Sequence, residues 1–148
     1  TRSASLVRAA IGPEGGLLRF IAPGHVLGGL VDQVDVSRVL AEVPPDQHQV
    51  VEVATRSVSS ILREARPGGR EVPKAIHFLS LDTEGSEFSI LSDFPFESHT
   101  ILTIAVEHNF KEPARTQIRQ LLLARGFNLD HVVEHDDFYV LSKYEDYL

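Results

Sequence analysis

Two stretches of the chain are apolar at nearly every position. Ala75–Leu81 (AIHFLSL) and residues 100–106 (TILTIAV) carry β-favouring side chains with little alternation. Such runs predict strands buried on both faces of a parallel sheet. Polar residues break each run at once: Asp82-Thr83-Glu84-Gly85 after the first, Glu107-His108-Asn109 after the second. Residues 86–91 between them read as a short helix, ended by Phe94-Pro95-Phe96. Pro113 then opens a helix running to about Arg125, with Ile118, Leu121, Leu122 and Arg125 on one face. Gly126 is its expected C-cap. Residues 127–133 and 137–142 read as a closing antiparallel pair around His135-Asp136.

Upstream the pattern is looser. Residues 5–11 and 17–21 read as two strands of a hairpin around Gly12-Pro13-Glu14-Gly15-Gly16. Residues 22–47 are rich in Pro and Gly and predict an irregular excursion with a short helix around 37–42. Residues 49–54 alternate as a strand does. Ser57 is a suitable N-cap for a helix at about 58–65, which Pro67-Gly68-Gly69 ends. Strands alternating with helices predict an α/β fold with a mainly parallel sheet and an antiparallel C-terminal strand pair. The 148 residues suffice for one domain: residues 1–47 hold a strand, the hairpin and the excursion, and 48–148 an α/β core.

Composition removes several function classes. A net charge of -7 and a pI near 5.4 oppose binding to a phosphate backbone, so no nucleic-acid partner is expected. Arg115, Arg119 and Arg125 recur on the helix after Pro113 and read as a solvated face. No apolar run reaches the roughly 18 residues of a spanning helix, and no membrane partner is expected. No charged-then-apolar signal segment opens the chain, and a cytoplasmic location is the default. Cysteine is absent, which excludes disulfides and thiolate zinc sites. Methionine is absent even at position 1, which reads as processing or as a piece of a longer polypeptide.

Ligands of open α/β sheets bind outside the carboxyl ends of the strands. Both polar clusters stand at such ends. If the two strands are neighbours, Asp82, Glu84, Glu107 and His108 converge on one rim as catalytic candidates, with the two carboxylates Asp82 and Glu107 within about 10 Å given the strand spacing. The plainer reading makes Asp82 or Glu84 a helix cap and Glu107-His108 an exposed loop. His77, inside an apolar strand, reads as a core residue. His135-Asp136-Asp137 reads as a polar turn. The pairs Gly15-Gly16 and Gly28-Gly29 do not follow a strand and open a helix, so neither makes a phosphate cradle.

The string IHFLSLDTEGSEFSIL at residues 76–91 resembles the hallmark of FkbM-type methyltransferases, a strand ending in Asp-x-Glu-Gly-x-Glu and then a short helix. Asp82, Glu84, Gly85 and Glu87 occupy that pattern. Ala105-Val106-Glu107-His108-Asn109 is similar to the family's second block, residues 122–127 to its Leu-x-x-x-Gly-Phe helix end, and Phe138-Tyr139-Val140 to its closing strand. Ala9-Ala10-Ile11-Gly12 with the segment to Phe20 resembles its third strand and following hairpin.

The resemblance implies a class I, Rossmann-like sheet, use of S-adenosylmethionine (SAM), and methyl transfer to a hydroxyl oxygen of a small molecule or sugar. It implies that Ala10, Ile11 and Gly12 touch the cofactor's adenine and that His108 is the base by type. Asp82 and Glu107 would orient the acceptor or hold a divalent cation through hard oxygens, although no metal site is assigned. The family's glycine-rich turn and its ribose-binding acid are not in the sequence. The expectation is therefore an N-terminally truncated domain, inactive alone, that self-associates through its sheet edge. The competing reading is a non-catalytic partner-binding module derived from the same fold. A hydrolase-like metal site built on the same carboxylates and His108 is a third.

Overall fold

Thr55 ties the N-terminal half together. It is 2% exposed, and its hydroxyl donates to the Pro13 carbonyl at 2.5 Å. Its backbone N–H donates to Gly16 O, and its carbonyl accepts from Gly15 N–H. A Cβ on Gly16 would stand 2.8 Å from Thr55 Oγ1, so the turn needs glycine there to approach this closely. Gly16→Ala is expected to lower stability by about 1–3 kcal/mol, as overpacking does. An unchanged thermal midpoint would show that the turn relaxes freely.

The computed structural model describes residues 4–23, 29–30 and 48–143. The helix expected around 37–42 lies outside the described residues. Among the described residues, eight strands and three α-helices follow in order: β1 (Ala10–Ile11), β2 (Leu17–Pro23), β3 (Gly29–Leu30), β4 (His48–Arg56), α1 (Val58–Glu64), β5 (Ala75–Leu81), α2 (Glu87–Asp93), β6 (Thr100–Glu107), α3 (Ala114–Ala124), β7 (Phe127–Val133) and β8 (Asp136–Leu141). The described strands form two four-stranded sheets, ordered β1-β4-β2-β3 and β5-β6-β8-β7.

The first sheet corrects the expected hairpin. β1 and β2 do not pair with each other; both flank β4, β1 in parallel and β2 antiparallel. The strand expected over 5–11 shrinks to Ala10–Ile11, and Leu6 is 95% exposed. An apolar string without a neighbour to accept its ladder bonds does not become a strand. Ser57 caps α1 as expected, its hydroxyl accepting from Ser60 N–H.

The second sheet holds the core. β6 lies between β5 and β8, with Ile101, Ile104 and Val106 each at most 1% exposed. α2 covers it with Ile90 and Leu91, and α3 with Ile118 and Leu122. β5 and β6 are adjacent and parallel, register Ala75↔Thr100 to Leu81↔Val106. Three expectations fail here. β5 is an edge of its described sheet rather than a central strand, and Phe78 is 56% exposed. His77 is exposed rather than in the core. Nor is the sheet mainly parallel: β6–β8 and β7–β8 are antiparallel. That closing pair matches expectation, and Gly126 takes the left-handed φ of +84° that ends α3.

Candidate functional site

The rim begins with the loop after β5. Glu87, the first residue of α2, is 5% exposed, and its Oε1 accepts from Thr83 N–H, Thr83 Oγ1 and Gly85 N–H at 2.8, 2.9 and 3.1 Å. One buried carboxylate thus folds Asp82–Gly85 back over the helix start, as a capping acid does. The loop adopts left-handed backbone at Glu84 (φ 57°) and Gly85 (φ 118°). Glu87 belongs to the hallmark pattern but was not read as a site residue from the sequence; its place at the first helical turn was the available signal.

Asp82, Glu84 and Glu107 then meet. One carboxylate oxygen from each lies within 4.8 Å of the others. The parallel register Leu81↔Val106 brings the two strand ends together. Burial pushes Glu107 up, and its hydrogen bond to Asp82 with the charges of Asp82, Glu84 and Glu87 pushes it further, to about 7. The same spacing would suit one hard cation, and a shared proton satisfies it equally. The rim opens on a pocket of about 190 Å³ lined by Glu87, Glu107, Asn109, Lys111, Arg115 and the His108 ring, among others.

His108 joins the site differently from the other three. It is 6% exposed. Its Nδ1 accepts from the Phe110 N–H at 3.0 Å, and its Nε2 faces Asp137 Oδ1 at 3.5 Å. Burial and the nearby Arg115 charge lower its pKa, against the opposing pull of Asp137 and Asp136. The ring is therefore neutral at pH 7, with the proton assigned to Nε2 by the acceptor role of Nδ1. The ring is buried, its side chain 1% exposed.

Asp137 was missed as a site residue. It is 1% exposed and accepts from Arg115 Nε and Nη2 at 3.0 and 2.5 Å, Arg119 Nη2 at 3.4 Å and Tyr139 OH at 3.2 Å. Burial pushes its carboxyl up, but the Arg115 hydrogen bonds and charge, with His108 and Arg119, overcome this and leave it below the ordinary range. The reading of a polar turn is corrected at Asp137, and that of a solvated basic face at Arg115; Arg119 and Arg125, with side chains 40% and 39% exposed, stay at the solvent. The signal was present for Arg115, which sits at helical spacing from Ile118.

Ala10, Ile11 and Gly12 stand elsewhere. Ile11, Gly12 and Pro13 face Ser89, Ile90 and Asp93 of α2 across a cleft of about 140 Å³, which shares no residue with the rim pocket. A further cavity, about 500 Å³ beside Phe96, Arg125 and Phe127, also shares none. Its lining mixes Phe96, Ile101, Phe127 and Leu141 with Glu97, His99, Arg125 and Lys143.

A mixed α/β chain with acids gathered at the ends of two parallel strands is the class that the fold and the rim define. The chain belongs to the methyltransferase FkbM domain family, whose model matches residues 2–129. No curated protein and no solved structure matches it. Among the described residues, no helix is long and apolar enough to cross a membrane.

Proposed function

We propose that this chain acts in SAM-dependent methyl transfer to a hydroxyl oxygen of a small molecule or sugar. The observation that carries the reading is the meeting of Asp82, Glu84 and Glu107 within 4.8 Å at adjacent parallel strand ends. The order β5-β6-β8-β7, a parallel pair extended by an antiparallel one, supports a class I, Rossmann-like sheet. Family membership supports the reaction type.

SAM supplies a methyl group on a sulfonium. The cleft beside Ile11 and Gly12 is about 140 Å³, whereas ligand pockets usually measure about 300–1,000 Å³. The described residues therefore fit part of SAM and not the whole molecule. The chain's own residues act on the acceptor. Glu107, poised near neutrality, takes the proton of the acceptor hydroxyl, where a base works best. Asp82 and Glu84 accept hydrogen bonds from neighbouring hydroxyls, and their charge keeps Glu107 basic. His108 is a support for this base rather than the base itself, because its Nδ1 accepts the Phe110 N–H.

The test is transfer of labelled methyl from millimolar SAM to a panel of sugars and small alcohols by the chain extended N-terminally with a glycine-rich turn and a ribose-binding acid, since the 148 residues alone are expected to be inactive. Glu107 must be ionised to accept a proton. The rate is expected to rise with pH through about 7 and then level. A rate that is flat across that range, or no transfer to any hydroxylated acceptor, would overturn the reading in favour of a binding module.

A further inference from the structure

Directly after β6 the chain makes a conformation that side-chain-bearing residues rarely adopt. Asn109 and Phe110 are consecutive and both left-handed, φ 43° and 55°. Such backbone persists only where the surroundings over-determine it. Phe110 is 61% exposed, so burial of its ring is not what holds the loop.

Two groups hold it. The first is the His108 imidazole, whose Nδ1 accepts the Phe110 N–H at 3.0 Å and whose ring meets the Phe110 ring edge-on, centroids 4.9 Å apart. The second is the Arg115 guanidinium, 6.0 Å from the centre of the Phe110 ring. Both groups adjoin one carboxylate. Asp137 takes Arg115 through two hydrogen bonds and stands 3.5 Å from His108 Nε2 without a hydrogen bond to it. Asp137 sits opposite Val106 in the β6–β8 register, beside the pair Glu107↔Asp136. It is therefore one position along the ladder from Glu107, the residue of β6 that joins the acidic rim.

We infer that Asp137 is a positioning residue for the rim: through His108 and Arg115 it locks residues 108–110 in their left-handed loop and so keeps Glu107 turned toward Asp82 and Glu84. The inference deepens the proposed function and rests on Glu107 as the acting base. The network favours it over a bare clamp between α3 and the sheet. A clamp requires Arg115 and Arg119 only, whereas here the carboxylate also faces the one nitrogen of His108 that carries a proton.

The experiment is nuclear magnetic resonance on the 148-residue chain labelled with ¹⁵N and ¹³C. The imidazole ¹⁵N shifts of His108 report the tautomer, backbone couplings report φ at Asn109 and Phe110, and amide exchange reports the Phe110 hydrogen bond. The native chain is expected to show the Nε2–H form, positive φ at both residues and a protected Phe110 amide. In Asp137→Asn the tautomer is expected to become mixed. Phe110 exchange should rise about tenfold relative to neighbouring strand amides, the measure of one ordinary hydrogen bond, and the couplings should move toward negative φ.

A mere clamp would lower the unfolding temperature and leave the tautomer and the relative Phe110 exchange unchanged, and that result overturns the inference. If Asp137→Asn does not fold, His108→Asn decides. Its side-chain oxygen stands where Nδ1 stood, so the Phe110 acceptor survives while the link to Asp137 is lost. Faster Phe110 exchange in this variant supports the lock, and native-like exchange overturns it. None of these readouts needs activity. A chain that fails to transfer methyl but shows the lock loses the enzymatic reading alone; the reverse result loses the lock alone.

Discussion

Glu107→Gln is expected to reduce methyl transfer by about 10²- to 10⁴-fold, the usual contribution of a positioned base. Gln keeps the shape and the hydrogen-bonding reach of the side chain and cannot take a proton. The loss should therefore appear in kcat and in kcat/KM equally, as for an interaction made only in the transition state. Stability should move the other way. Burial and the neighbouring acids raise Glu107 from 4.5 to about 7 in the folded chain. A carboxyl with a raised folded pKa favours the fold fully below its unfolded pKa, and that contribution is lost as pH rises to about 7. The native chain should thus lose stability between about pH 4.5 and 7, and Glu107→Gln should flatten that fall. Urea denaturation across this window, beside the transfer assay, checks both halves. A variant with native rates would remove Glu107 from the chemistry, whatever its stability.

Asp137→Ala is expected to cost about 3–5 kcal/mol, the range for breaking a buried charge pair from one side. The size follows from what is left behind. Asp137 is 1% exposed, the Arg115 side chain only 21%, and Tyr139 1%. Removing the carboxylate strands a largely desolvated guanidinium and a buried phenol without their common acceptor. Exposed pairs elsewhere, such as Arg125 with Glu97 at 3.6 Å, should contribute about 0–1 kcal/mol. The pH dependence has a definite sign. The folded pKa of Asp137 is lowered from 3.8, so its contribution is present above that ordinary value and is lost as pH falls through the folded one. The gap between native chain and variant, measured by urea denaturation, should be full at pH 7 and shrink below about pH 3.8. A loss under about 1 kcal/mol at pH 7 would mean that water reaches the network and that Asp137 is not a buried anchor.

How much of this was legible along the chain depends on the range of the forces involved. Ser57 as an N-cap, Gly126 as a C-cap, the helices expected at about 58–65 and from Pro113 to about Arg125, and the turn expected around His135-Asp136 and found one residue earlier are local. Each follows from side-chain and backbone chemistry within a few residues. The adjacency of β5 and β6 was also legible, because two apolar runs of similar length ending in acids can hide their faces best side by side. That adjacency alone placed Asp82 and Glu107 together. The Asp82–Glu87 pattern and the Glu107-His108 block carried the family, which the match over residues 2–129 shows.

Pairing partners, by contrast, were decided by contacts distant in sequence. Nothing within residues 5–21 reveals that β1 and β2 prefer β4 to each other, since the choice depends on Thr55, some 40 positions away, bonding into the Gly12–Gly16 turn. Nor does an apolar run state whether both of its faces find cover. Phe78 lies open in β5 while Ile104 in β6 is sealed; the two runs look alike, and only the packing of α2, α3 and β8 separates them.

The roles within the rim were decided in the same way. Residue type made His108 the expected base and Asp137 a turn residue. Tertiary structure turned His108 inward onto Phe110 N–H and Asp137, and left Glu107 as the carboxyl held near neutrality by its neighbours. Sequence by itself determined which acids and helices exist and that two strand ends share them. Which group carries a proton, and which charge is buried, depends on desolvation and on partners from other elements, and these arise only once the chain is folded.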